Sequence, residues 1–177
     1  MKLISPLSHL LIVSTLFFAG CSSSTSLNID ELLDGKFTAK VEDGSSFDGN
    51  AFFEIEIPTD GFQNVLEDSV LFLTLKTGEI TNTREINGET TEYTINIGLT
   101  LNSLWETDAD ELELGSTFFQ NIFVHPNTLD SQGIKSGTIY IDEKTDDLLV
   151  GSFRLVTVIS SDTESNITGE FRATRKD

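Results

Sequence analysis

From residue 36 onward, apolar side chains recur at every second position, which is the period of a β-strand with one buried face. Residues 36–42 place Phe37, Ala39 and Val41 together, and residues 51–57 do the same with Phe53, Ile55 and Ile57. Residues 69–76 are apolar on both faces, with Leu71, Leu73 and Leu75 set against Val70 and Phe72. That pattern predicts a strand covered on both sides. Residues 92–101 alternate through Tyr93, Ile95, Ile97, Leu99 and Leu101, and segments 117–124, 138–142, 148–159 and 166–174 complete the set. Turn chemistry falls between the runs: Asp43-Gly44, Asp48-Gly49, Pro58-Thr59-Asp60-Gly61 and Asn87-Gly88. Asn87-Gly88 is the strongest hairpin signal among them. Residues 28–34 read as one helical turn or a loop. No long helical period follows. The pattern predicts an all-β fold, a single antiparallel β-barrel or β-sandwich of about eight to nine strands.

The first twenty residues follow a different logic. Lys2 starts a short positive region, and residues 10–19 are an apolar run of secretory length. It is too short to span a bilayer, which takes about 20 apolar residues. Phe18-Ala19-Gly20-Cys21 resembles the bacterial lipobox, with Phe18 where the motif commonly has Leu. The resemblance implies a bacterial lipoprotein: a diacylglyceryl group on the Cys21 thiol, cleavage before Cys21 and acylation, palmitate included, of the new terminus. Two or more chains hold firmly, since each buried CH₂ contributes about 0.8 kcal/mol. Ser22, not Asp, follows the cysteine, which implies the outer membrane of the cell envelope. The expected organisation is a signal peptide over 1–20, a lipidated cysteine and flexible tether over 21–35, and a β domain over 36–177.

The last third has a recognisable cadence. Ser136-Gly137-Thr138, Gly151-Ser152-Phe153 and Gly169-Glu170-Phe171 open three successive strands. Over residues 133–174 this meander is similar to the C-terminal part of uncharacterised β-rich envelope lipoproteins, with Leu155 where they carry a second aromatic. The resemblance implies a β-rich envelope protein and carries no catalytic residue with it.

Charge narrows the partners. The chain has 29 Asp and Glu against 11 Lys and Arg. The leader holds one of the basic residues and none of the acidic, so the mature chain would stand at −19. Such a field repels nucleic acid. Cys21 is the only cysteine, so no disulfide within the chain is available and the core alone must hold the domain.

Catalytic chemistry is sparse. His125, before Pro126, is the only histidine beyond the leader, and no Gly-x-Ser-x-Gly elbow or phosphate-cradling glycine loop occurs. His125 reads as a strand-end or turn residue. Glu54 and Glu56 share a strand face and form a candidate acid/base pair, with a solvated face as the plainer reading. Asp108, Asp110, Glu111 and Glu113 form the densest acidic run, a candidate oxygen-ligand calcium site or an acidic loop. Trp105 is either a stacking platform or a rim residue of the core. Asn166-Ile167-Thr168 is a formal glycosylation sequon of little meaning in a bacterial lipoprotein. No cofactor is expected.

A basic patch is the remaining candidate. Pairing the last two strands with Leu155 opposite Phe171 and Phe153 opposite Ala173 would set Arg154 opposite Arg172. Pairing Ile141 with Leu149 would bring Ser136 beside them and Lys135 near, with Arg175 and Lys176 following. Lys135, Arg154 and Arg172 then form a candidate anion site, against a reading in which Glu170 and nearby acids pair them. The expected function is a membrane-anchored envelope lipoprotein whose non-enzymatic β domain binds or scaffolds an envelope protein or small ligand. The alternative is a carboxylate-dependent hydrolase acting on envelope glycans.

Overall fold

The structure is a computed structural model that describes residues 29–57, 69–86, 88–106, 108–114, 121–160 and 163–176. Residues 1–28, with the expected signal peptide and Cys21, the expected turn at 58–61 and Asn87 lie outside the described residues. A single 3-10 turn, Ile29–Glu31, precedes nine strands: β1 (Lys36–Val41), β2 (Ser46–Glu56), β3 (Val70–Ile86), β4 (Glu89–Leu104), β5 (Glu111–Leu114), β6 (Ile122–Val124), β7 (Ser131–Lys144), β8 (Leu148–Ser160) and β9 (Thr163–Arg175). The fold is all-β and antiparallel, as the two-residue period predicts. The strands form one sheet in the order β5-β7-β6-β4-β3-β2-β1-β9-β8, and β8 pairs with β7, so the sheet closes in a ring. Both β6 and β5 share the second edge of β7. Where β1 has yet to begin, β9 and β2 meet in a short parallel pairing at Phe52–Thr174 and Phe53–Arg175.

Alternate residues fill the interior of this ring. Phe37, Phe53, Phe123, Phe153 and Phe171 are each less than 2% exposed, with Leu71, Leu73, Leu75, Leu99, Leu101, Ile139 and Leu149 beside them. A ring of this size has room for side chains and little else, so large residues must face small ones. Glycine supplies the small partner: Gly151 lies opposite Phe171 and Gly169 opposite Phe153. A Cβ on Gly169 would sit 2.4 Å from the Phe153 ring, and one on Gly151 would sit 2.0 Å from the Tyr140 carbonyl oxygen.

That packing corrects the expected register. Leu155 pairs with Ile167, not Phe171, and Arg172 pairs with Val150, not Arg154. The slide is four residues, so every side chain keeps its expected face while its opposite partner changes. Similarly, Ile141 pairs with Gly151 and not Leu149, and Thr138 takes the place expected for Ser136 opposite Arg154. The sequence pattern specifies faces; the glycine–phenylalanine fit specifies register.

Three further expectations change. Asp48-Gly49 is not a turn but lies inside β2, opposite Thr38 and Phe37. Residues 111–114, within the run read as an acidic loop or calcium site, form β5, with Leu112 and Leu114 buried and the two glutamates facing out. Their two-residue period is present in the sequence but masked by charge. Ile57, expected on the apolar face, lies past the end of β2 and is 54% exposed.

The sheet also divides. Through Lys76, β3 pairs with both β2 and β4; beyond it, β3 pairs with β4 alone. Gly49 and Gly98 mark the branch. A Cβ on either would lie 2.2 Å from a carbonyl oxygen of β3, Lys76 for Gly49 and Leu75 for Gly98, and Gly98 has φ +125. An irregularity between Lys76 and Gly78 shifts the register by one residue at the same level. From there Gly78–Ile97 opens a two-stranded arm that closes through a two-residue connection ending at Gly88, φ +84. At about 3.3 Å per residue the arm is roughly 30 Å long.

Candidate functional site

The three cations of the expected patch stand apart. Arg172 lies four residues along from the level of Arg154, roughly 13 Å at strand spacing. Arg172 Nε donates to Asp34 Oδ1 at 2.8 Å. Arg154 lies over the Tyr140 ring, 6.0 Å from its centroid, at the limit of a cation–π contact. Lys135 pairs with Glu164. Arg175 donates to the Asp146 carbonyl at 3.3 Å, and Lys176 pairs with Glu54 at 3.0 Å. Each cation therefore has its own neighbour, and the register that would have opposed Arg154 and Arg172 does not form. Such exposed pairs contribute about 0–1 kcal/mol each.

The acidic run is divided by β5. Glu113 accepts a hydrogen bond from Thr138 Oγ1 at 3.0 Å, and its carbonyl accepts one from Ser103 Oγ at 3.0 Å. Lys144 Nζ donates to the Ala109 carbonyl at 3.0 Å, while Asp108 and Asp110 are exposed. Among the described residues, no group of three or more His, Cys, Asp or Glu is gathered closely enough to hold a metal ion.

His125 follows β6 and organises the turn after it. Its Nδ1 accepts from the backbone N–H of Asn127 at 3.2 Å and of Thr128 at 3.4 Å. That arrangement leaves Nε2 facing Asp43, at 3.8 Å from Oδ2. The Ser45 hydroxyl and backbone N–H hold the Asp43 carboxyl below its ordinary range, with His125 adding to the effect. Leu129 closes the turn with φ 61. This is a structural role at a strand end.

Trp105 is half-buried against the end of the core, 5.9 Å from Lys144 Nζ, and lines a pocket of about 250 Å³ with Ile55, Thr145, Asp146 and Arg175. A second hollow of about 590 Å³ runs beside β1, with Leu32, Leu33, Lys36 and Lys40 among its lining residues. Burial and the nearby Asp142 carboxylate raise the Glu170 carboxyl above the ordinary glutamate range. Glu170 lies between Thr38 and Ser152 on the outward face of β9.

The largest feature not singled out in the sequence is the arm. Ile97, Ile95 and Tyr93 continue the inward face of β4 set by Leu99 and Leu101, and after the shift at Lys76 the facing residues of β3 are Gly78, Ile80 and Asn82. Ile80, Ile95 and Ile97 are half-buried against each other, and Tyr93 is 43% exposed. The other face is polar: Glu79, Thr81, Thr83 and Glu85 oppose Asn96, Thr94, Glu92 and Thr90. The arm is thus a strip with one apolar and one acidic face. Two sequence signals could have found it: the strong hairpin dipeptide, and Thr-rich alternating runs too polar at 81–94 to belong to a core.

No family model, curated protein or solved structure matches this chain. The candidate sites therefore stand on their own geometry. Among them the arm differs in kind: two hollows lie on the ring and a third, of about 420 Å³, lies where Glu79, Thr94 and Asn96 at the base of the arm meet Phe52, Thr74 and Lys176, while beyond this base no further strand joins the arm among the described residues.

Proposed function

We propose that the protein is a membrane-anchored bacterial envelope lipoprotein, tethered through Cys21 and sited at the outer membrane, whose β domain is a non-enzymatic binding or scaffolding module. The observation that supports this reading is the division between a ring packed with phenylalanine and leucine and an arm that, beyond its base, is joined by no further strand among the described residues. A filled interior leaves little room for a lipocalin-like ligand, so binding falls to the outside surface. An exposed two-stranded strip is marginal in water by itself and gains from a partner that covers it. β3 enters the arm running parallel to β1, and Lys36, where the chain joins the sheet, lies at the level of Lys76, where the arm begins. With the anchor at Cys21, the seven residues 22–28 reach at most about 25 Å. The domain then sits close to the membrane.

Two measurements test this. Cys21→Ala should abolish palmitate incorporation and release the protein from the membrane fraction; equal labelling would remove the anchor. A photo-cross-linker placed in turn at surface positions of the ring and arm should trap a partner from intact cells; absence of any adduct would remove the binding module.

The hydrolase alternative needs two facing carboxylates in a cleft; Glu170, whose carboxyl is raised by burial and by the nearby Asp142, is its candidate acid on the outward face of β9. Hydrolysis of envelope glycans lost in Glu170→Gln would favour it.

A further inference from the structure

We propose that the outer edge of β4 over residues 89–97 is a strand-addition site for an extended segment of a partner protein in which basic and apolar residues alternate. This rests on the binding-module reading and gives the partner its chemistry.

Among the described residues the edge is open and regular. β6 covers β4 only at Gly98, Leu99 and Thr100. Beyond Val124 the chain turns away, its course bent back by the hydrogen bond from His125 N to the Asp130 carbonyl at 2.9 Å. Residues 89–97 then have β3 as their neighbour on one side and no strand on the other among the described residues. A two-residue hairpin connection makes the flanking pair, Ile86 and Glu89, hydrogen-bonded to each other. Alternation then turns the backbone N–H and C=O of Thr90, Glu92, Thr94 and Asn96 outward. These are the groups an added strand would use.

Of the usual protections the edge keeps only charge, at Glu89 and Glu92. Exposed edges are normally blunted by lysine, proline, a bulge or shortness. Residues 89–97 contain no lysine, proline or bulge, and their Thr, Tyr and Ile content favours extended backbone. The β3 edge of the arm is better defended, with the irregularity at Lys76 and with Arg84 beside Glu85.

Charge selects the occupant. Residues 77–97 carry four glutamates and one arginine, within a chain of net charge −18; Glu79 is paired with Lys76 at 3.2 Å, which leaves Glu85, Glu89 and Glu92 towards the tip. A second copy meets this field with the same sign and is disfavoured. An added strand places one set of side chains beside Tyr93, Ile95 and Ile97 and the alternate set beside Glu92 and its neighbours. The first set must be apolar and the second basic.

The test uses the protein purified from cells in detergent micelles and a synthetic peptide alternating Lys and Val, about nine residues long to match the edge. Amide hydrogen exchange with mass spectrometry is read with and without peptide. The expected result is exchange slowed roughly tenfold or more over 90–96, with no change in the ring. High salt and replacement of Lys by Glu in the peptide should each remove most of the effect. Thr94→Pro should abolish it by removing an outward N–H, while Thr81→Pro, on the opposite edge, should leave it intact. If both variants disturb the arm, a peptide N-methylated on the amides that face β4 decides: it should bind at least about tenfold more weakly. Equal binding of the methylated or acidic peptide, or protection on the 78–86 edge alone, overturns the proposal. So does self-association of the protein that Thr94→Pro abolishes, because the occupant is then a second copy. If the peptide leaves the arm unchanged while the cross-linking scan traps a partner on the ring, this edge is wrong and the binding module stands. If neither contacts the protein, both fall.

Discussion

The ring and the arm share two strands and a continuous hydrogen-bonded ladder, yet they are held by different forces. In the ring, Leu71, Leu73 and Leu75 of β3 and Leu99 and Leu101 of β4 are 0% exposed. A few residues farther along the same strands, 81–85 and 88–94 are exposed on both faces. Burial of apolar area, at about 25 cal/mol per Å², stabilises the first region and is almost absent from the second. The ladder of the arm persists on cross-strand pairs such as Ile80–Ile95 and Thr81–Thr94, each contributing roughly 0.2–1 kcal/mol. Hydrogen bonding therefore tells little about which part of a sheet is the folding core; burial does.

The comparison is sharpest in the ring, where substitutions should do most harm. Phe171→Ala removes a fully buried ring that lies between Gly151 on β8 and Phe37 on β1. The expected loss is about 3–5 kcal/mol, measured by urea unfolding. A loss below about 1 kcal/mol would mean the interior is looser than described.

At the branch the effect should be intermediate. Gly98→Ala forces a side chain onto a φ of +125 and against the Leu75 carbonyl. We expect destabilisation of about 1–3 kcal/mol, with the strain confined to the level where β3 and β4 leave the ring. An unchanged thermal midpoint would show that the arm departs elsewhere.

In the arm the same kind of change should scarcely register. Ile80→Ala combined with Ile95→Ala deletes one half-buried cross-strand pair. Global stability should fall by less than about 1 kcal/mol. A loss as large as that of Phe171→Ala would make the arm part of the core and erase the distinction.

The smallest effect concerns Glu170 on the outer face of the ring. Its carboxyl is raised by burial and by Asp142, so the folded protein holds this proton more tightly than the unfolded chain. The stability it contributes is fully present below the ordinary glutamate pKa and is lost as the pH rises through the raised value. Glu170→Gln should therefore leave the thermal midpoint unchanged below about pH 4 and raise it slightly near neutral pH. A lowered midpoint at neutral pH would reverse the assigned direction.

Much of the ring was legible in the sequence because the two-residue period records which residues face inward, and Phe37, Ala39, Phe53, Leu71, Leu73 and Leu75 all do. Register was not legible, since a slide of four residues preserves every face. Only the steric match of Gly151 to Phe171 and Gly169 to Phe153 decides it, and that needs both strands in space. The basic patch failed with the register: Arg154 and Arg172 share a face but not a level. β5 was missed because Leu112 and Leu114 are interleaved with acids that also suit a calcium loop. The place of Gly49 inside β2 was not legible, because glycine serves a turn and a close backbone approach equally well. The arm was half legible: its tip is announced by Asn87-Gly88, while the absence of a further strand beside it, among the described residues, is a property of the closed ring.

Amide hydrogen exchange on the protein without added peptide tests the central division most directly. The same two strands supply both regions, so solvent, sequence separation and temperature are shared. The account predicts that amides at 71–75 and 99–103 exchange only through global unfolding, while those of 79–85 and 90–96 exchange orders of magnitude faster through local opening. Equal protection along the whole length of β3 and β4 would contradict it.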